Sequence, residues 1–368
     1  MSFESGSVGL RLFHLTRKMP ANIAELLSAH AMPSFEYIKD APVFGWVSGR
    51  HLLERRIDED TAFHSGHLRV ALLKAERKVP GALLKAEIRQ AELVRLQAEG
   101  RAFLSRHDRQ EIRESILARL LPQMPPQLKA VQIAHTKGSP WLFTDALPTA
   151  NADELVIHFR HAVDFAPEPV EPATAARIRR RVDVRDWMPA SFTDAMREEG
   201  VDNTPGHDFL TWLWFRSETD GHVKLPNDGG KVALVVEGPL TFINTTTGGA
   251  QESVLRKGNP PASSEAKAAL IAGKKLAVAT INLALNDEVW KTTLVAETLV
   301  SRGLKLPDPK EDLDPSGGFQ YRMLKIQEYT DILLGLYDAF VDLRMEKNKW
   351  SAEIKKMRQW VKDRQAVH

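Results

Sequence analysis

At 368 residues the chain is too long for one small core, and its 43% hydrophobic and 27% charged residues describe two or three globular modules, not a disordered polymer. The absence of cysteine excludes disulfides, thiolate zinc sites and cysteine nucleophiles, and fits a reducing, cytoplasmic interior. Net charge is only +2, but residues 67–137 carry 14 Lys/Arg against 7 Asp/Glu, 253–275 five against one and 344–364 eight against three, so basic segments sit on an acidic remainder, as expected where one surface meets a polyanion.

The N-terminal "MSFESGSVGLRLFHLTRK" has no basic stretch followed by an unbroken apolar run, so no signal peptide is expected. Nor does any apolar run approach the roughly 18 residues of a membrane span. Val8 to Leu15 alternates as a strand, and Pro20 opens a helix to about Ala31. Phe44-Gly45-Trp46 marks a second strand. "HLRVALLKAERKV" is a strand of about ten residues that Pro80 ends, because proline cannot donate to a ladder. Leu84, Ile88 and Ala91 then take helical spacing. After Gly100, Ser105 and Asp108 form a capping box for a second helix through Ile112, Ile116 and Leu120. "LKAVQIAHT" is the return strand. Two charged helices between two strands describe a projecting arm.

"SPWLFTDA" pairs as a strand across a turn at Lys137-Gly138, and residues 151–162 read as a helix. "FAPEPVEPA", with prolines at 167, 169 and 172, is the best linker candidate. Strands follow near 231–237, 250–257, 274–286 and 289–297, with a helix near 263–272 ending at Gly273. "LPDPKEDLDPSGG" reads as a second linker. From Ile326 to Val361 apolar residues alternate spacings of three and four, interrupted only at Lys347. This is a heptad pattern over 36 residues, about 54 Å if continuous. It reads either as a coiled coil with a partner or as a long amphipathic helix packed on its own domain. The chain is therefore an α+β protein.

Catalytic patterns are incomplete. "GGKVAL" and "GKKLAVA" both lack the glycine spacing of a phosphate-cradling loop, and there is no GxSxG elbow. His64 with His67, and His158 with His161, have metal-compatible spacing but no third ligand nearby, so they read as surface or structural histidines. Asp58-Glu59-Asp60 reads as solvated charge. "FLTWLWF" could stack bases, but its large side chains cover every face and read as core. "RIRRRVDVR" reads equally as a phosphate grip or a solvated face. Six to ten phosphate contacts from the basic segments suffice for micromolar, salt-sensitive binding without base readout.

"FGWV", the strand and helix start "LLKAERKVPGALLKAEI", "RESILARLLPQ", "AVQIAHTKGSPWLFTDA" and, further on, "GGAQESVLRKGNPPASSEAKAALIAGKKLAVATINLAL" follow an order that resembles the RdgC family of recombination-associated proteins. The similarity covers most of residues 5–165 and, more thinly, 205–300. It implies a horseshoe-shaped subunit with a β-rich centre (1–79 and 127–165), a two-helix tip (80–126) and a β-rich base (173–305), whereas the C-terminal helical extension (317–364) departs from the family by reaching past the part that resembles it. It further implies a ring-shaped homodimer that encircles double-stranded DNA, is nucleoid-associated, needs no cofactor and limits access of the RecA recombinase, with no catalysis. The DNA-facing residues it implies are Lys74, Arg77 and Lys78 at the entry to the tip, Arg256 and Lys257 in a basic turn, and Lys274 and Lys275 at the next strand; Lys85, Arg89 and Lys129 extend that charge on the arm. Where the family has a phenylalanine after "LLP", this chain has Met124-Pro125-Pro126, which leaves Met124 and Leu128 as the apolar candidates for the tip contact. The rival readings are a protein-interaction scaffold built on the heptad helix and, more remotely, a hydrolase assembled from residues such as His64 and Asp60.

Overall fold

A computed structural model describes residues 3–39, 41–192, 205–227, 229–244 and 252–363. The chain opens with β1 (Val8–His14) and a short α1 (Ile23–Ser28), then β2 (Val43–Ser48). A one-turn α2 (Glu59–Ala62) leads into β3 (Phe63–His64) and the long β4 (His67–Arg77). Two helices, α3 (Gly81–Glu99) and α4 (Arg106–Leu120), follow before β5 (Pro126–Thr136) returns alongside β4. This pairing is unbroken, from His67 opposite Thr136 to Arg77 opposite Pro126. The first half closes with β6 (Trp141–Thr144), α5 (Thr149–Val163), β7 (Glu168–Pro169) and α6 (Pro172–Arg180).

The proline-rich segment expected to be a linker is built into the sheet. Phe13 and His14 pair with Pro169 and Glu168, the Val170 amide donates to the Leu12 carbonyl at 3.0 Å, and Pro172 opens α6. Proline is tolerated there because β7 is a two-residue edge and a first helical turn needs no amide donor.

In the second half, α7 (Pro205–Thr219) is followed by β8 (His222–Lys224), β9 (Lys231–Ile243) and β10 (Glu252–Leu255). Then come α8 (Ser264–Ile271), β11 (Lys275–Leu285), β12 (Glu288–Val295) and β13 (Ser301–Lys305). The chain ends in α9 (Pro315–Met345) and α10 (Lys347–Lys362). The first two positions of the strand expected from 250 and the end of the extension expected to 364 lie outside the described residues.

All named strands join one antiparallel sheet, ordered β10-β9-β11-β12-β13-β1-β6-β5-β4-β2, with β3, β7 and β8 attached at its sides. β1 is the seam. Val8 and Leu10 pair with β13, while Arg11 to His14 pair with β6. Side chains alternate across the strands. Trp46, Val70, Leu72 and Ile133 therefore face α1 and α5, whereas Val47, Ala71, Leu73 and Ala75 face Met32 and Ile38 on the other side. Gly45 allows the close approach of residues 31–32 to β2, since a Cβ there would strike the Met32 backbone.

The aromatic stretch "FLTWLWF" lies in α7 and is wholly buried, as its composition predicts. The heptad run also turns inward. Ile326, Tyr329, Leu333, Leu336 and Phe340 of α9 pack into the same core, and the helix breaks at Glu346 (ψ 89°), which lets α10 fold back so that Met357, Trp360 and Val361 meet it. Packing on its own domain thus uses up the face that a coiled coil would need. The basic run "RIRRRVDVR" helps lock this arrangement. Arg179 grips the buried Asp338 of α9 through Nε (3.0 Å) and Nη2 (2.6 Å), Arg180 pairs with Asp342, and Arg177 pairs with Glu168.

Burial lowers the pKa of His14, His67, His135 and His158 below the ordinary 6.5. The unfolded chain then takes up protons first as pH falls below that value, so stability is complete above it and is lost on acidification. Melting temperature is expected to fall between about pH 7.5 and about pH 5, measurable by circular dichroism in buffers of matched ionic strength.

Candidate nucleic-acid interface

The arm between β4 and β5 has its own small core. Val79, Leu104, Ile112, Ile116 and Leu120 are buried together, and Leu84, Ile88 and Ala91 of α3 pack against them. Gly100 ends α3 in the left-handed region (φ 62°), where glycine carries no Cβ penalty. Ser105 and Asp108 then form the expected capping box: the Asp108 amide donates to Ser105 Oγ at 3.1 Å and the Ser105 amide to Asp108 Oδ2 at 3.0 Å.

Arg77 fastens this arm to the sheet. Its guanidinium donates to the carbonyls of Ile38 (2.8 Å) and Phe35 (3.4 Å) in the centre, and to those of Pro122 (3.3 Å) and Met124 at the end of α4. A side chain held by four carbonyls is a strut, with little donor capacity left for a ligand.

Most acids of the arm are spent on neighbouring arginines, while Glu114 accepts from Gln110 at 2.9 Å. Glu87 pairs with Arg119; Glu99, Asp108 and Glu111 surround Arg95; Arg101 reaches Glu99 and Asp108. The hydrogen bonds from Ser105, with the arginine charges nearby, hold the Asp108 carboxyl below its usual range. What remains cationic is segregated. Arg106, Arg109 and Arg113 are exposed, lie at i, i+3 and i+7 on one edge of α4, and have no ion-pair partner among the described residues. The stripe's signal in the sequence is the helical spacing of the arginines in "SRHDRQEIRE", whereas the expected contacts centred on the strand entry.

The sequence-predicted positions divide three ways. Lys78, Lys85, Lys129, Arg256 and Lys257 are exposed and without an ion-pair partner among the described residues. Arg89 is exposed beside Glu92 (3.4 Å). The others are committed elsewhere. Lys74 pairs with Glu154 at 2.7 Å and lies 4.9 Å over the Phe44 ring. Lys274 Nζ donates to Ser253 Oγ at 2.5 Å, and Lys275 Nζ to the Ala190 carbonyl at 2.6 Å. Lys129 stands directly across the ladder from Lys74. That like-charge pairing costs stability unless an anion or Glu154 offsets it.

The apolar candidates for the tip contact are half-buried. Met124 packs on the core of the arm, and Leu128, opposite Ala75, packs with the cluster of Val47 and Leu73. The arm exposes Leu93 (51%), Val94 (61%) and Phe103 (77%) more fully, together with Leu83 at the margin. Leu83, Leu93 and Val94 belong to α3, and Phe103 to the turn between α3 and α4.

Three of the four histidines singled out by spacing make structural contacts, and His161 is exposed. His64 packs edge-on against Phe319 (4.9 Å), His67 Nδ1 bonds Thr136 Oγ1 (2.9 Å), and His158 stacks on Phe44 (4.4 Å). Asp58 caps α2 by accepting from the amides of Asp60 and Thr61. Among the described residues, the one group able to offer three convergent metal ligands is His107, Asp108 and Glu111. Asp108 there serves the helix cap, and both acids already face Arg95.

Residues 9–191 match the family model described as "Putative exonuclease, RdgC". The chain is also similar to the recombination-associated protein RdgC of Dechloromonas aromatica (strain RCB), with 26% identity over 159 residues, 40% of this chain. The match spans 48% of that relative, about half its length. No described helix is long and apolar enough to cross a membrane. The segment so matched contains β1, the arm with its arginine stripe and the strands that carry it, and through residues 9–191 the chain belongs to the RdgC family.

Proposed function

We propose that this chain is a sequence-independent, non-enzymatic duplex-DNA-binding protein of homologous recombination, which acts as a homodimeric ring and limits RecA access to DNA. The observation that carries the reading is the arm's charge segregation. Glu87, Glu99, Asp108 and Glu111 are tied to Arg95, Arg101 and Arg119, while Arg106, Arg109 and Arg113, with Lys78, Lys85 and Lys129, are exposed without an ion-pair partner among the described residues. Cations held at fixed spacing neutralise a phosphate backbone and release its counterions, an interaction that carries no sequence information.

Ring closure would use the exposed apolar face of the arm. Replacing Phe103 and Leu93 by Ser is expected to weaken self-association tenfold or more, since each buried side chain of this size contributes about 1.5–3 kcal/mol. Sedimentation velocity over a concentration series measures it; an unchanged monomer–dimer midpoint would remove this face from the interface. A nuclease is the second reading, favoured by the description of the matching family and by the His107, Asp108 and Glu111 group. Incubation of duplex and single-stranded DNA with magnesium or manganese separates the two. Intact DNA supports the binding role, and turnover abolished by Glu111→Gln supports the nuclease.

A further inference from the structure

A strongly segregated charge lies beyond the segment matched to the family. α10 carries Lys347, Lys349, Lys355, Lys356, Arg358 and Lys362 against one acid within the helix, Glu353. Glu353 is buried, accepts from Trp212 Nε1 at 2.9 Å and pairs with Arg216 at 2.7 Å. The solvent side of the helix is thereby left cationic. At 100° per residue, Lys347, Lys355, Arg358 and Lys362 fall within an arc of about 80°. All four are exposed, and the three lysines have no ion-pair partner among the described residues; Arg358 donates to the Ser191 carbonyl at 3.1 Å.

The stripe is held rigidly. Met357, Trp360 and Val361 anchor the opposite face in the core, Trp360 Nε1 donates to Glu218 at 2.7 Å, and Lys267 of α8 lies 4.9 Å over the Trp360 ring. α8 in turn follows the turn that exposes Arg256 and Lys257. Over its 16 residues the helix is about 24 Å long, which spans roughly seven phosphates of one strand. The arc exposes no aromatic or aliphatic side chain to anchor a protein partner or to enter a lipid surface.

We infer that the outer face of α10, centred on Lys347, Lys355 and Lys362, is a second docking surface for the phosphate backbone of duplex DNA, separate from the arm. This rests on the reading of the chain as a duplex-binding protein. The test is the full-length triple variant Lys347→Gln, Lys355→Gln, Lys362→Gln, with the triple Lys→Arg variant as charge-preserving control, titrated with a fluorescent duplex over a salt series. The slope of log affinity on log salt is expected to become shallower by about 2.7, at 0.9 for each phosphate no longer neutralised, and to stay at the wild-type value in the arginine variant. Wild-type binding with an unchanged slope in the glutamine variant overturns this inference alone. So does a variant that loses binding to vesicles rich in anionic lipid while its duplex slope is kept. Failure of the wild-type chain to bind duplex at all overturns both this inference and the reading beneath it.

Discussion

Replacing Arg106, Arg109 and Arg113 together by Gln is expected to make the salt dependence of duplex binding shallower by about 2.7, and to weaken affinity equally for unrelated sequences. Each side chain is exposed and bonded to no acid among the described residues, so its removal takes one cation from the phosphate backbone without leaving a buried charge behind. The fold should be untouched, because the core of the arm is made by Ile112, Ile116 and Leu120 on the adjacent face. Arg77→Ala is the contrasting case. It frees four carbonyls at the joint between arm and sheet, so it should lower the protection of α4 amides from hydrogen exchange while leaving the salt slope within about one unit of wild type. A large loss of slope with unchanged exchange would restore Arg77 as a direct contact.

The largest effect on stability is expected at Phe340→Ala, about 3–5 kcal/mol in equilibrium urea unfolding. Phe340 is fully buried and touches rings from three directions: Phe209 (5.6 Å) and Trp212 (5.7 Å) of α7, Trp350 (5.9 Å) of α10 and Trp187 (6.4 Å). It joins the helices that cover the second half of the sheet, so a cavity there loosens all of them at once. A cost near zero would mean that α9 is peripheral, as the coiled-coil reading of the heptads supposes.

Local chemistry was legible in the sequence wherever it alone decides the outcome. The strand ended by Pro80, the Ser105–Asp108 cap, the Lys137–Gly138 turn and the burial of "FLTWLWF" all follow from spacing and residue type. What needed the fold was partnership. Arg179 and Arg180 are adjacent in sequence, but their acids, Asp338 and Asp342, lie on α9, more than 150 residues away. The prolines of 167–172 look like a linker until β1 supplies an edge for them. A heptad pattern fixes an apolar stripe but not its partner, and here the break at Glu346 folds the stripe onto its own domain. For the interface, composition located the basic arm, while the division between spent and free cations depended on acids, hydroxyls and carbonyls that only the fold brings to them. Lys74, Arg77, Lys274 and Lys275 fell on the spent side, and Arg106, Arg109 and Arg113 on the free side.

The most direct test of the central claim is fluorescence anisotropy of the wild-type chain with two unrelated duplexes of about 30 base pairs across a salt series. Equal affinities that fall steeply as salt rises are the predicted result. No binding at low salt, or a preference for one sequence that persists at high salt, would contradict backbone recognition by the cationic faces of α4 and its neighbours.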